Sequence, residues 1–159
     1  MKKYVFDIKR ETNFIKEINE QSDRGAALIV ATWLDEELRA AIKTKFVNSD
    51  SNEKKVFEGN GPLSTFSSKI EIGYSLGLLS KQAYSDLTII RKIRNDFAHS
   101  ILGENSEAVS FKSKHIRDRC YSLKRVEDEE FDSPRHSFLR NCAAIWADIN
   151  FIVWAEKAT

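Results

Sequence analysis

Arg94 is the residue in this chain whose position most needs a chemical reason. Read as a helix at about 100° per residue, Leu87, Ile90, Ile93, Phe97 and Ala98 share one apolar face. Arg94 falls in the middle of it, three residues before Phe97 and four after Ile90. A guanidinium that leaves water without a partner is strongly disfavoured. This stripe therefore asks for a buried carboxylate, or for a cleft or subunit seam where an anion reaches the cation. On the first reading Arg94 pairs with Glu71, Asp86 or an acid of the second helix, and His99 bonds the last carbonyls of its own helix. On the second, the guanidinium grips a phosphate bidentately and stabilises charge on its oxygens. His99, five residues on where the apolar period ends, then takes or gives a proton near neutral pH without a metal. Its place near a helix C-terminus favours the imidazolium, which suits phosphate contact or the acid role better than the base role. Lys92 and Asn95 point elsewhere on the wheel, and Arg91 sits at its boundary.

The elements that position these residues read as helices. With 6 Gly and 2 Pro in 159 residues, the many short turns of an all-β sandwich are hard to supply. A first helix is expected over about Asp7 to Glu20, with Ile8, Phe14, Ile15 and Ile18 as its weak apolar side. Ser22 or Asp23 offers an N-cap for a long helix to about Phe46. In it Ala27, Ala31, Leu34, Leu38 and Ile42 recur at spacings of three and four, which makes it central to the core. The polar run from Asn48 to Asn60 reads as a loop. Pro62 suits the first position of a helix to about Leu76, on which Gly73 permits close backbone approach and Gly77 serves as a stop. Ser80 caps the Arg94 helix, expected over Lys81 to Ala98, and a turn follows around Gly103, Glu104 and Asn105. A short basic helix spans Ser113 to Cys120. Ser133 and Pro134 open a last helix carrying Phe138, Cys142, Ile145, Ile149 and Ile152, widened by Leu139, Trp146 and Val153. A final helix this apolar must pack on the long second helix or on another subunit. The fold expected is a single all-α domain over residues 1–159, a bundle of five or six helices.

Composition narrows the function. Charged residues make up 31% and hydrophobic ones 42%, the balance of an ordinary globular domain. A formal charge of +1 excludes a global attraction to nucleic acid, so any such role rests on a local patch. Lys114 and Arg117, with Arg91 and Lys92, are the candidates for one. The acidic run Glu127 to Glu130, closing at Asp132, reads as an exposed loop that offsets it. Cys120 and Cys142 lack CxxC spacing and an adjacent His, Asp35-Glu36-Glu37 has no His nearby, and His115 and His136 read as surface residues. No metal and no cofactor are therefore expected. GNGPL lacks the Lys-Ser/Thr ending of a phosphate loop, and no Ser-nucleophile or glycosidase constellation is present. The basic MKKYVFDIKR is not followed by an apolar run of signal-peptide length, and no stretch approaches a bilayer span. A cytoplasmic protein with free thiols and no membrane contact is expected.

The segment GPLSTFSSKIEIGYSLGLLSKQAYSDLTIIRKIRNDFAHS, residues 61–100, carries Gly-Pro-Leu, a Lys-Ile pair, Tyr-x-Leu-Gly-Leu-Leu, a later Tyr and a terminal Arg–His motif. It resembles the signature region of the bacterial mannitol operon repressor family. Within it, Arg94-Asn95-Asp96-Phe97-Ala98-His99 is similar to the R-x4-H motif of the HEPN superfamily, with Asn after the Arg. The first resemblance implies a transcriptional regulator, although no DNA-reading helix-turn-helix is recognisable, so it would act through a partner protein. The second implies a small helical bundle that cleaves or binds RNA without a metal, as a homodimer whose two motifs meet across the Arg94 helices. In that reading the RNA 2′-hydroxyl is the nucleophile. One His99 serves as base and the other as acid, Arg94 holds the phosphate, and Asn95 orients the phosphate or the His. A setting in stress or phage defence is implied by the resemblance alone.

Overall fold

Leu34, Leu38 and Ile42 recur every fourth residue and are wholly buried, so the helix that carries them is the axis of the molecule. The computed structural model describes residues 8–100, 102, 107–127 and 130–158. Among these the chain forms seven helices: α1 (Ile8–Glu20), α2 (Asp23–Lys43), α3 (Ser49–Phe57), α4 (Phe66–Ser75), α5 (Lys81–His99), α6 (Lys114–Tyr121) and α7 (Pro134–Ala158). α2 packs against α7, α5, α4 and α1. Its small residues Ala26, Ala27, Ala31 and Ala41 let those neighbours come close, and its larger ones fill the space between them. The expected all-α bundle is what forms, with only an isolated bridge between Leu102 and Ala108 outside the helices among the described residues.

Hydroxyl caps set most of the helix starts. Ser22 accepts from Gly25 N at 3.1 Å, Ser80 from Ala83 N at 3.1 Å and Ser133 from His136 N at 3.1 Å, each satisfying a first-turn N–H that has no intrahelical partner. Gly77, at φ +71°, ends α4 in the left-handed region that favours glycine. A Cβ on Gly73 would lie 3.0 Å from Leu38 Cδ1, so this glycine is what lets α4 sit down on α2.

The structure departs from the sequence reading at several positions outside the site. Residues 48–60 were expected as a loop, yet Ser49–Phe57 is helical. Its polar stretch has too little apolar period to announce a helix, and tertiary contacts hold it. Phe57 is buried and stacks on Phe46 at 5.5 Å, while Glu53 pairs with Lys43 at 2.7 Å and Arg39 at 2.9 Å. That extra helix is why there are seven rather than five or six. Pro62 lies in the preceding turn, and α4 starts at Phe66, where Thr65 accepts from Ser68 N at 3.1 Å. Ile15 is exposed, so Ile18 anchors α1. Ala98 faces solvent instead of joining the apolar stripe. Asp7 and the turn at residues 103–105 lie outside the described residues.

Candidate functional site

Leu87, Ile90, Ile93 and Phe97 are wholly buried along α5, so the apolar stripe is real. Asp86 and Ala83 continue it toward the N-terminus. The stripe centres on Ile90, Ile93 and Phe97, and Arg94 lies on its flank, half-buried. A long cationic side chain on such a flank can lay its stem on apolar surface and keep its charged head at the edge. Its Nη1 donates to Asn95 Oδ1 at 2.8 Å, so the neighbouring amide orients the cation.

The carboxylates within reach of Arg94 by sequence are engaged elsewhere. Glu71 accepts from the Tyr84 hydroxyl at 3.0 Å. Asp86 accepts the backbone N–H of Arg125 at 2.8 Å, that of Lys124 at 3.2 Å and Gln82 Nε2 at 2.9 Å. On α2, Asp23 pairs with Arg135 at 2.8 Å and Asp35 with Lys69 at 2.7 Å. Burial pushes the Asp86 carboxyl above its ordinary value, and the two backbone N–H groups pull partly back. The end of α5 is closed by Arg24 of α2, which donates to the carbonyls of Phe97 and, at 2.7 Å, of Ser100. His99 is exposed.

Geometry separates the other candidates. Asp96 turns to α6, where Arg119 pairs with it and His115 Nε2 lies 3.8 Å away. Two residues of helix place Arg94 about 160° round α5 from that flank. Lys114 and Arg117 are therefore on α6's side of the helix, and both contact Asp118, at 3.6 and 3.3 Å. Arg91, half-buried, and Lys92, exposed, lie on α5 itself. Arg91, Asn95 and His99 follow at i, i+4 and i+8 and share one ridge. Within one chain, Arg94 and His99 sit about 140° apart round the helix and about 7.5 Å apart along it. The outer face of α5 is thus cationic, because both of its acids are committed, Asp86 to backbone N–H groups and Asp96 to α6.

Sequence reasoning passed over Arg24 and treated Asp86 only as a partner for Arg94. The signal for Asp86 was available: it precedes Ile90, Ile93 and Phe97 at the spacing that marks a buried stripe. Nothing local marks Arg24, whose acceptors are more than seventy residues away. Two open grooves lie away from α5. One of about 540 Å³ is lined by Glu36, Arg39, Lys43, Glu53 and their neighbours, and one of about 220 Å³ by Leu76, Leu78, Phe151 and Ile152 among others. Among the described residues no group of His, Cys, Asp and Glu is placed to hold a metal ion, and no helix is long and apolar enough to cross a membrane.

A comparison with curated proteins gave no match. Among solved structures, the fold is similar to a chain in the X-ray structure of the MtlR-HPr complex from Escherichia coli. The TM-score is 0.70 at 16% sequence identity, over 87% of this chain and 97% of that one. The model of the mannitol repressor family matches residues 10–141, which takes in the long axis helix, the whole of α5 and the start of α7. The chain belongs to the mannitol repressor family.

Proposed function

We propose that the protein is a non-enzymatic transcriptional regulator that acts through protein–protein contacts, with an HPr-type protein as its partner. The family match over residues 10–141 carries this reading. Its fold is that of a chain found in a complex with HPr, which gives the partner class to test first. Isothermal titration of the full chain with HPr from the same cell is the direct experiment. Saturable binding that His99→Ala leaves unchanged supports the reading, and no heat at high micromolar concentration overturns the choice of partner.

One observation favours a second reading, that of an HEPN-type, metal-independent endoribonuclease or RNA-binding protein. Arg94 is steered by Asn95 with no carboxylate paired to it among the described residues, and His99 is open to solvent. That arrangement suits an anion such as an RNA phosphate. Two copies meeting on α5 would bring the Arg91, Lys92 and Arg94 cations together, so a bound phosphate would have to offset their repulsion. Cleavage should then survive EDTA, leave 2′,3′-cyclic ends and vanish in both Arg94→Ala and His99→Ala.

A further inference from the structure

α7 carries two apolar stripes, separated along its flanks by polar residues that include Asp148 and Asn150. Phe138, Cys142, Ile145, Ile149 and Val153 are buried on its inner face. Its outer face carries Ala143, Ala147, Phe151, Trp154 and Ala158, all exposed and spaced by four, four, three and four residues. Phe151 is 65% and Trp154 56% exposed, with ring centroids 5.8 Å apart. A surface helix ordinarily turns a polar face to water, so an apolar stripe on the outer side asks for a cover. The stripe itself is uncharged from Ala143 to Ala158, with the exposed Arg140 one turn before it and the Asp148 carboxylate, paired with Arg125, on its flank. Below Phe151 the groove of about 220 Å³ runs to Leu76 at the end of α4, bordered by Lys45 and Glu156, which pair at 2.5 Å.

We infer that this stripe is a homodimer seam, in which α7 of one copy lies antiparallel on α7 of a second. The order of residue sizes selects that occupant. Between Ala143 and Trp154 the stripe runs from small (Ala143, Ala147) to large (Phe151, Trp154), and Ala158 follows one turn on. Run antiparallel about its centre, each copy sets its rings over the other's alanines: Phe151 over Ala147 and Trp154 over the Ala143 end. Large then meets small on both sides of a twofold axis, as a self-complementary interface requires. A parallel pair would stack ring on ring and leave a gap between alanines. At their observed exposure the two rings of each chain offer about 250–300 Å². Over two chains that makes about 550 Å² before the alanines and Leu76, below the span of stable specific interfaces and fitting only a weak, transient pair. The dimer is therefore concentration-dependent, and it leaves the cationic face of α5 open. The inference does not depend on which partner or substrate the protein has.

Sedimentation velocity on the full chain, from low to high micromolar concentration, is the test. The wild type should shift from monomer toward dimer, and the doubly substituted Phe151→Glu/Trp154→Glu chain should dimerise at least about tenfold more weakly. Both positions are exposed, so an unchanged far-ultraviolet circular dichroism spectrum and melting curve will show the fold intact. Orientation is read separately, by mixing an Ala147→Cys chain with a Phe151→Cys chain under mild oxidation. The native thiols are buried, so a mixed disulfide forming ahead of either self-pair supports the antiparallel seam. A wild type that stays monomeric throughout overturns it, as does a dimer indifferent to the two glutamates, or an Ala147→Cys chain that pairs with itself faster than with the other variant. Loss of HPr binding in the glutamate variant of a monomeric wild type would assign the stripe to the partner instead.

Discussion

Arg94 donates to the side chain of the next residue, Asn95, at 2.8 Å, and no ion pair joins it to an acid among the described residues. Its charge therefore contributes little to the fold. Arg94→Ala should lower the unfolding free energy by about 1 kcal/mol or less, through the packing of the half-buried stem rather than through the charge. Urea unfolding checks this. A loss of several kcal/mol would mean that the guanidinium has a structural partner. Since folding is expected to survive, any loss of RNA cleavage in the same variant can be assigned to chemistry.

Asp86 reaches from α5 to the backbone of Lys124 and Arg125, and so ties the segment between α6 and α7 to the core. Arg125 in turn forms a two-pronged pair with Asp148 of α7, at 2.5 and 2.9 Å. Replacing Asp86 by Ala takes the acceptor from two part-buried backbone donors and leaves a gap in the core, and should cost about 1–3 kcal/mol. Hydrogen exchange at residues 124–126 should rise ahead of the rest. The pH response follows from the direction of the shift. Burial raises this carboxyl above 3.8, so its contribution to stability is fully present below 3.8 and falls as the pH rises through its folded value. Mild acid should therefore leave this tie closed, and early exchange at 124–126 on acidification would contradict the assignment.

How much of this was legible depends on where each structural cause lies. α2, α5 and α7 announce themselves because their apolar residues repeat at the helical period, and period alone decides a helix that must bury a face. Gly73 was readable for the same reason, since a residue without a side chain on a packed face implies close approach. α3 was not, because Phe57 and a few ion pairs formed with distant residues hold it. Arg94 was legible as an anomaly but not in its environment. The helical wheel placed it in mid-stripe, whereas its position on the flank lets the head reach the surface. Whether the cation meets an anion depends on where Asp86 and Asp96 turn, and those directions are set by α6 and the loop after it. The outer stripe of α7 was hidden by the strength of its inner one.

Cys120 and Cys142 are buried in the packing of α6 and α7, and burial pushes the Cys120 thiol up to about 12 and the Cys142 thiol well above its ordinary value. The thiolate is the reactive form, so both should be inert in the native state. Ellman's reagent should find almost no thiol in the folded protein at pH 8 and two per chain in denaturant. Rapid native labelling would show that the α6–α7 interface opens readily.

α3 is held to the core by charge as much as by its one buried ring. Glu53 holds α3 to α2 through Lys43 and Arg39, and these partners, Lys43 first, keep its carboxyl below the ordinary value of 4.5. A carboxylate held low contributes stability that is present above 4.5 and lost as the pH falls through its folded value. Acidification below about 4.5 should therefore loosen α3 before the α2–α5–α7 core, leaving Phe57 as its main anchor. Hydrogen exchange of residues 52–57 at pH 3.5 and pH 6.5 would show it, with Glu53→Gln raising exchange at pH 6.5 and removing most of the pH difference. If α3 exchanges alike at both pH values in the wild type, the ion pairs are incidental. The stacking of Phe57 on Phe46 must then be what keeps this polar segment helical.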